Sequence, residues 1–341
     1  TLRNSSAASD VYKRQCGTRG KAPFESILSH GFVVDGKGLK MSKSLGNVIA
    51  PEDILKKYGA DILRIWVAAS NYAEDLRIDY SILDQHSESY RKIRNTFRYL
   101  LGNINDKYED VNLDKIEVES LPELEKFMLS KIHSLNNKFE NYFKKYDFHN
   151  LYKELLNFCT TDLSAFYFDI RKDTLYCDPI NSEKRKSCVT ILNILLKSLL
   201  RWFAPILSFT TEEIHQLISK NTKSIHLEKF LTFPDKFKNE QLTERWSQLI
   251  KIRDVCNISI EEKRANKEIG SSLEAELKIK LNEKYKDIIS KIDLSELCIV
   301  SKTQINFDEG SDILVETKKA PGNTCPGCWK ISVEPCERHP Q

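Results

Sequence analysis

The sequence KMSKSLGN occupies residues 40–47, directly after a glycine-rich turn at residues 35–38. Lys40 and Lys43 place two ammonium groups three residues apart among small hydroxyl side chains. Such a loop suits the phosphates of a bound nucleotide, because the ammonium groups neutralise charge that develops as a phosphoanhydride breaks. Exposed backbone amides near a helix start add to an anion site. The stretch therefore predicts a phosphate-contacting loop, whereas an isolated lysine pair at this spacing is usually a solvated surface loop.

The residues downstream of this loop extend the pattern in three short stretches. They are residues 51–55 (PEDIL), 58–61 (YGAD) and 63–66 (LRIW). Together with residues 40–47 they resemble the signature loop of the class I aminoacyl-tRNA synthetases and the segment that follows it. The resemblance implies the end of a Rossmann-type catalytic domain, with ATP and its Mg²⁺ bound as substrate at the loop.

The same resemblance implies roles for single residues of the loop. Lys43 is the lysine that contacts the ATP phosphates and stabilises the departing pyrophosphate, and Lys40 assists it, so both are candidate catalytic residues. Ser42 and Ser44 are candidate hydroxyl contacts to ATP. Because a pure binding module has no use for such a loop, the resemblance favours an enzyme, a ligase of protein biosynthesis.

Four further stretches resemble the isoleucine-charging branch of this family more than its valine and leucine branches. They are residues 30–36 (HGFVVDG), 147–149 (DFH), 163–170 (LSAFYFDI) and 201–209 (RWFAPILSF). The implied reaction activates isoleucine with ATP and transfers it to tRNA-Ile. Three alternatives stay open at this point: a valine or leucine enzyme, a tRNA-binding module without chemistry, and a zinc-knuckle RNA-interaction protein.

The spacing of apolar residues predicts a mostly α-helical chain. From residue 80 to about residue 218 they recur every three to four positions between short polar connectors, which is the pattern of a helical bundle. Long helices are predicted at residues 82–101, 123–142, 150–168 and 182–202. The resemblance implies that this bundle binds the anticodon. After Pro234 the pattern of apolar residues changes to that of a small α/β module, with a short helix at residues 285–292. Strands are predicted at residues 26–34, 273–281, 297–301 and 313–317.

The predicted organisation has five parts. Residues 1–15 show no periodicity and are predicted to be a scar of sequence assembly. The other parts are the catalytic-domain end at 16–79, the anticodon-binding bundle at 80–235, the α/β module at 236–318 and a zinc knuckle at 319–341. We also expect a C-terminal fragment of a longer enzyme that cannot activate an amino acid alone, because the resemblance places the remaining catalytic and editing parts upstream.

Three cysteines and a histidine crowd together near the C-terminus. Cys325, Cys328, Cys336 and His339 follow the spacing C-x2-C-x7-C-x2-H. Two such pairs of donors suit tetrahedral Zn²⁺ in a structural site, where the protein fills every coordination position. The family resemblance supports such a knuckle, although many members have cysteine where His339 stands. The alternative is a set of free thiols with a disulfide between Cys325 and Cys328.

The composition limits the cellular setting and the partners. A net charge of +3 over 341 residues neither requires nor excludes a nucleic-acid partner. No apolar run reaches the roughly 18 residues of a membrane span, so no membrane partner is expected. Nine cysteines, most of them scattered, indicate reduced thiols in a cytoplasmic protein. The full-length form is expected to be a monomer.

Two groups of basic residues are candidates for contact with tRNA. Arg91, Lys92, Arg94 and Arg98 are interleaved with Tyr90, Phe97 and Tyr99, and Lys184, Arg185, Lys186 and Arg201 lie along another helix. Basic groups would meet phosphates, and exposed aromatic rings could stack on unpaired bases. The alternative is a solvated charged face above aromatic residues of the core.

Several histidines and tryptophans are predicted to have structural roles. His149 and His215 lie in helical patterns, so packed or capped histidines are expected. Trp66, Trp202 and Trp246 fit buried faces. For Trp329 the sequence leaves two possibilities, a cover for the knuckle or a contact with RNA.

Overall fold

The computed structural model describes residues 14–21, 24–104, 111–219, 223–310, 312–336 and 338–339. Most of the described residues are helical, as predicted, and one apolar core runs from the first helices to the C-terminal sheet. Residues 1–13, which make up most of the predicted scar, lie outside the described part. No helix within these ranges is both long and apolar enough to cross a membrane.

The first part is a pair of short parallel strands joined by two helices. Strands β1 (Val33–Asp35) and β2 (Leu76–Ile78) pair in parallel. Helices α1 (Pro51–Tyr58) and α2 (Ala60–Ala69) lie between them in the chain. Helix α1 begins with proline and ends at Gly59, whose φ of 86° interrupts the helix.

The strand predicted at residues 26–34 is wrong over most of its length. Residues 26–32 form no strand, and the pairing covers Val33–Asp35 alone. The apolar side chains that suggested a strand find no core here, since Ile27 and Leu28 are 73% and 54% exposed. Gly31 is nevertheless needed, because a Cβ there would lie 2.0 Å from the backbone oxygen of Glu74.

The helical bundle follows, as predicted. Its helices are α3 (Tyr80–Ile104), α4 (Glu123–Lys144), α5 (Phe148–Asn157), α6 (Phe168–Cys177), α7 (Glu183–Phe203) and α8 (Ser208–Ile218). Helix α9 (Glu240–Ala265) follows, in the part predicted as the α/β module. Helix α7 is the most deeply buried of these, and Trp202 near its end packs edge-on against Phe139 and Phe158. Side-chain caps mark several starts: Ser182 accepts from the Arg185 amide at α7, and Asn239 accepts from the Leu242 amide at α9.

One long helix was predicted at residues 150–168, and the structure differs there. A π-helical segment, Phe158–Tyr167, separates α5 from α6, and the helix continues to Cys177. Arg253 of α9 donates to the Ala165 carbonyl within this segment, at 3.3 Å. A tertiary contact, which periodicity cannot reveal, therefore supports this geometry.

The C-terminal module contains a three-stranded sheet. Strand β3 (Ala275–Leu281) is central, with β4 (Lys302–Phe307) parallel and β5 (Ile313–Lys319) antiparallel to it. Two short helices, α10 (Lys286–Ile289) and α11 (Leu294–Cys298), connect β3 to β4. Helix α10 is thus shorter than the predicted 285–292.

The strand predicted at residues 297–301 is also wrong, because Leu297 and Cys298 belong to helix α11 and residues 299–301 form no strand. The Asp293 carboxylate caps that helix by accepting from the Ser295 and Glu296 amides, and Ile299 ends it with a φ of 56°. The true strand, Lys302–Phe307, was not predicted. Its side chains alternate only between exposed and half-buried, so the apolar signal is weak.

Helix α2 is joined to the bundle by two charged side chains. The buried Asp61 carboxylate accepts from the Phe209 amide at 3.2 Å, the Thr210 amide at 2.8 Å and the Thr210 hydroxyl at 2.6 Å, at the start of α8. Arg64 donates to the carbonyls of Pro205 and Ile206. The acid therefore meets the positive end of a helix and the guanidinium meets free carbonyls.

We expect Asp61→Ala to lower the free energy of unfolding by about 1–3 kcal/mol, because two amides and a hydroxyl lose their buried acceptor. Asp61→Asn should cost less, since the amide oxygen still accepts. Urea unfolding followed by circular dichroism measures both. Asp53→Ala, on the exposed side of α1, is the control; an equal loss in that variant would contradict the capping role.

Candidate functional site

The predicted phosphate loop is a tight, internally bonded segment. Strand β1 leads into a turn closed by a 2.9 Å bond from the Gly38 amide to the Asp35 carbonyl, and Lys40 then forms a bridge back to Val34. Residues Lys43–Leu45 make a 3-10 turn that Ser42 caps. Gly46 ends that turn with a φ of 64°, in the left-handed region that favours glycine.

Two polar side chains hold the loop to strand β1. The Asn47 amide donates to the Asp35 carboxylate at 2.8 Å, and its oxygen accepts from the Ser42 backbone amide at 2.9 Å. The other Asp35 oxygen accepts from the backbone amides of Lys37 and Leu39. Hydrogen bonds from Asn47 and then from Leu39 hold the pKa of the Asp35 carboxyl below its ordinary value. The loop is therefore tied at both ends.

Sequence reasoning assigned no role to Asp35 or Asn47. A signal existed, because aspartate before a glycine turn and asparagine after a glycine commonly fold back on nearby amides. The pairing of the two side chains across 12 positions of sequence is a tertiary fact. Positioning through Asp35 and Asn47 is the part of this site that the sequence did not predict.

The two lysines of the loop point into solvent. Lys40 and Lys43 are both exposed, and within the described residues neither forms an ion pair with a carboxylate. Ser42 is half-buried and its hydroxyl accepts from the Leu45 amide, while Ser42 and Ser44 share a 3.1 Å hydroxyl contact. The loop thus offers two uncompensated ammonium groups on a fixed backbone. An anion such as a polyphosphate is the natural complement to them.

The C-terminal cluster brings the four predicted metal ligands together. The Sγ atoms of Cys325, Cys328 and Cys336 and a ring nitrogen of His339 all lie within 4.8 Å of one another. Cys328 Sγ and Cys336 Sγ are 3.8 Å apart. Zn–S bonds near 2.3 Å in a tetrahedron imply a sulfur separation of about 3.8 Å. The donor set therefore fits Zn²⁺, and Cys325 and Cys328 are free thiols here.

The backbone of the cluster explains how the donors converge. Strands β6 (Asn323–Thr324) and β7 (Ile331–Ser332) form a small hairpin around the first pair of cysteines. Gly327 leaves room for the histidine, since a Cβ there would lie 2.6 Å from the His339 ring.

Two of the three cysteines of the cluster favour the thiolate, the form that binds metals, whereas burial raises the pKa of Cys328. Burial raises the pKa of Cys336, but hydrogen bonds from the His339 ring and from the backbone amides of Arg338 and His339 outweigh it and lower that pKa to about 6. Backbone amides, that of Cys328 first, lower the pKa of Cys325 as well.

Only part of the predicted basic surface is available to a ligand. Arg91, Lys92, Arg94 and Arg98 are exposed on α3. In the second group Lys184 pairs with Glu296, Arg185 donates to the Asp178 carbonyl and Arg201 pairs with Glu228, whereas Lys186 forms an exposed pair with Glu183, as Arg91 does with Glu88. The exposed set on α3 is therefore the better candidate for RNA phosphates.

The aromatic residues beside that set belong to the core, as the alternative interpretation held. Phe97 is 1% exposed, and Tyr99 stacks on Phe168 at 4.3 Å. The Tyr90 hydroxyl bonds to Thr210 at 2.9 Å. Base stacking by these rings is not supported.

Two histidines and three tryptophans are packed within the fold. His149 bonds to the Ala69 carbonyl and His215 to the Lys223 carbonyl, so both are packed histidines as predicted. Trp66, Trp202 and Trp246 are buried. Trp329 does not cover the knuckle, because it is 69% exposed.

Comparison with known proteins gives consistent results along the chain. Residues 125–280 match the family model described as the anticodon-binding domain of tRNA ligase, and residues 14–79 match that of the class I tRNA synthetases (I, L, M and V). The isoleucine–tRNA ligase of Pelagibacter ubique is 67% identical over 324 residues, covering 95% of this chain and 36% of the relative. That of Kosmotoga olearia is 41% identical over 331 residues, covering 93% and 35%.

A solved structure supports the fold. The ternary complex of Agrobacterium radiobacter K84 agnB2 LeuRS, tRNA and LeuAMS matches with a TM-score of 0.51 at 14% identity, covering 93% of this chain and 30% of that one. This chain spans about a third of the length of the curated relatives it matches. These matches relate 95% of this chain to part of an isoleucine–tRNA ligase, and residues 14–79 to the class I tRNA synthetases.

Proposed function

We propose that this chain is part of an ATP-dependent isoleucine–tRNA ligase. The observation that carries the proposal is the Lys40–Ser44 loop, which presents two exposed ammonium groups on a backbone fixed by Asp35 and Asn47. Similarity to isoleucine–tRNA ligases over 95% of the chain supports the choice of amino acid. Because the chain covers about a third of those relatives, the reaction is proposed for the whole protein.

The proposed reaction has two steps. A carboxylate oxygen of isoleucine attacks the α-phosphorus of ATP, and the bond from that phosphorus to the bridging oxygen breaks, releasing pyrophosphate. The terminal ribose hydroxyl of tRNA-Ile then attacks the adenylate carbonyl and releases AMP. Mg²⁺ accompanies ATP and offsets phosphate charge.

The loop residues act on the first step. Lys43 contacts the phosphates and stabilises the negative charge that builds on the departing pyrophosphate, and Lys40 assists from the same loop. Ser42 and Ser44 are weaker candidates, because capping already engages the Ser42 hydroxyl. The structure of residues 33–79, two parallel strands with intervening helices, is consistent with the end of a Rossmann-type domain.

We propose that the helical bundle binds the anticodon arm of tRNA-Ile. The exposed cations of α3, Lys92, Arg94 and Arg98 among them, would meet backbone phosphates. We also propose a structural Zn²⁺ held by Cys325, Cys328, Cys336 and His339, which would keep the hairpin folded. The exposed Trp329 on that hairpin is available for contact with RNA. A monomer in the cytoplasm is the expected setting.

The test of the proposal is binding of this chain to four transcripts at one salt concentration with Zn²⁺ present: tRNA-Ile, tRNA-Val, and each with the other's anticodon. We expect the transcripts with the isoleucine anticodon to bind about tenfold more tightly than those with the valine anticodon, a difference of about 1.4 kcal/mol. Alanine at Lys92, Arg94 and Arg98 should weaken binding to all four and lower its salt dependence. Lys186→Ala, which removes a lysine already paired with Glu183, is the matched control.

The outcomes separate the alternatives. Tighter binding of the transcripts with the valine anticodon would exclude the isoleucine assignment, but it would remain compatible with a class I aminoacyl-tRNA synthetase. Equal affinity for all four RNAs would exclude anticodon recognition by the bundle and favour a general tRNA-binding module.

A further inference from the structure

The knuckle, residues 323–339 where described, has very little core of its own. Of its described residues only Cys328 and Ile331 are buried, at 6% and 8% exposure. Trp329 and Val333 are 69% and 75% exposed. A unit that buries so little apolar surface needs metal ligation or contacts with a neighbour to stay folded.

Two neighbours contact the knuckle: Ser301, whose hydroxyl accepts from the Ile331 amide at 2.6 Å, and the C-terminal end of bundle helix α6. Arg338, which stands between the proposed ligands Cys336 and His339, reaches two carboxylates there. Its Nη1 lies 2.8 Å from Asp173 Oδ2 and donates to Asp178 Oδ1 at 2.9 Å, while Nη2 donates to Asp173 Oδ1 at 3.1 Å. The Asp178 side chain is only 13% exposed, so this is a partly buried, forked pairing.

The other half of the knuckle touches the same place. The Cys177 thiol donates to the carbonyl of Gly327, which lies between Cys325 and Cys328, at 3.6 Å. Arg185 of α7 holds the adjoining backbone by donating to the Asp178 carbonyl at 2.7 Å. Both ligand-bearing turns are therefore fixed to one platform, defined as Asp173, Cys177 and Asp178.

We propose that this platform preorganises the knuckle for its metal, so that docking on α6 and metal binding strengthen each other, with Arg338 as the positioning residue. Fixing the guanidinium fixes the backbone between two ligands, so less conformational freedom is lost when the metal binds. Linkage requires the converse, that bound metal stabilises the docked position. The inference rests on the metal site proposed above.

The first test measures metal affinity of the 341-residue chain, with Co²⁺ as a visible probe and then Zn²⁺ against a competing chelator. We expect Arg338→Gln, and Asp173→Asn combined with Asp178→Asn, to weaken affinity by about tenfold with an unchanged Co²⁺ spectrum. Arg338→Lys keeps the charge but loses the fork, so an intermediate value is expected. Glu183→Gln, which removes the exposed partner of Lys186, is the matched control.

The second test measures docking of the knuckle on α6 by the reactivity of the Cys177 thiol. With metal bound, this half-buried thiol should react slowly with an alkylating reagent, followed peptide by peptide in a mass spectrometer. Removing the metal should raise its rate about tenfold, and Arg338→Gln should raise it similarly with metal still bound. Circular dichroism confirms that each variant keeps its helices.

The results distinguish this inference from the metal site itself. If Arg338→Gln binds metal with wild-type affinity, or if Cys177 is alkylated at the same rate with and without metal, the proposed coupling is wrong. The metal site itself would be unaffected by either result. Failure of the unaltered chain to bind Co²⁺ or Zn²⁺ would overturn both. A Co²⁺ spectrum altered by Arg338→Gln would overturn the positioning role, because the ligand set itself would have changed.

Discussion

Replacing Lys43 by alanine lowers the rate of isoleucine-dependent pyrophosphate exchange by about 10²–10³-fold, with little change in the KM for isoleucine. The reason is that the ammonium group meets charge that appears only as pyrophosphate departs. Its backbone position, fixed through Asp35 and Asn47, does not depend on the lysine side chain. The measurement uses a ligase in which residues 24–339 of this chain replace the matching part of the Pelagibacter ubique relative, which is 67% identical.

Lys37→Ala is the matched control for this prediction. Lys37 is an exposed lysine of the preceding turn, so its removal changes net charge equally without touching the loop. We expect less than a threefold change in that variant. A Lys43→Ala ligase with the unaltered exchange rate would show that the loop is not part of the catalytic machinery.

Removing either partner of the buried Glu125–Arg171 pair lowers the free energy of unfolding by about 3–5 kcal/mol. Glu125 is 0% exposed and accepts from Arg171 Nε at 2.7 Å and Nη2 at 2.5 Å, and the Tyr167 hydroxyl adds a third bond. Arg171 also reaches Glu296 of helix α11, so the pair joins the bundle to the C-terminal module. Arg171→Met would leave an unpaired carboxylate in the core.

Urea unfolding of Arg171→Met, Glu125→Leu and the double variant measures this. The double variant should lose less stability than either single variant, because no uncompensated charge remains. Arg91→Ala, which breaks the exposed pair with Glu88, should cost less than about 1 kcal/mol. Additive losses in the double variant would show that the two side chains do not act as a pair.

Much of the candidate chemistry could be predicted from short-range spacing. The two lysines of residues 40–44 and the four donors between Cys325 and His339 are sequence neighbours, so their proximity needs little more than a turn. The side chains that position them are different. Asn47 meets Asp35 across 12 positions, and Arg338 meets Asp173 across 165, so neither contact leaves a local pattern.

The same contrast holds for the fold. Amphipathic helices such as Glu123–Lys144 and Glu183–Phe203 were predicted to within about two residues, because one buried face repeats with the helical period. Strand Lys302–Phe307 was missed, and the last two residues of helix Leu294–Cys298 were predicted as the start of a strand, because short elements carry too few residues to define a period.

The sequence by itself determined the family resemblance, the mostly helical bundle, the loop with two lysines at residues 40–44 and the cluster of three cysteines and one histidine near the C-terminus. These depend on local composition and on periodic burial, which neighbouring residues express together. Only the tertiary structure decided that Lys184 and Arg201 are engaged in internal ion pairs, that Trp329 faces solvent, and that the knuckle rests on helix α6. Such outcomes depend on which distant side chain arrives within bonding distance, and the chain path that brings it there is set by the whole core.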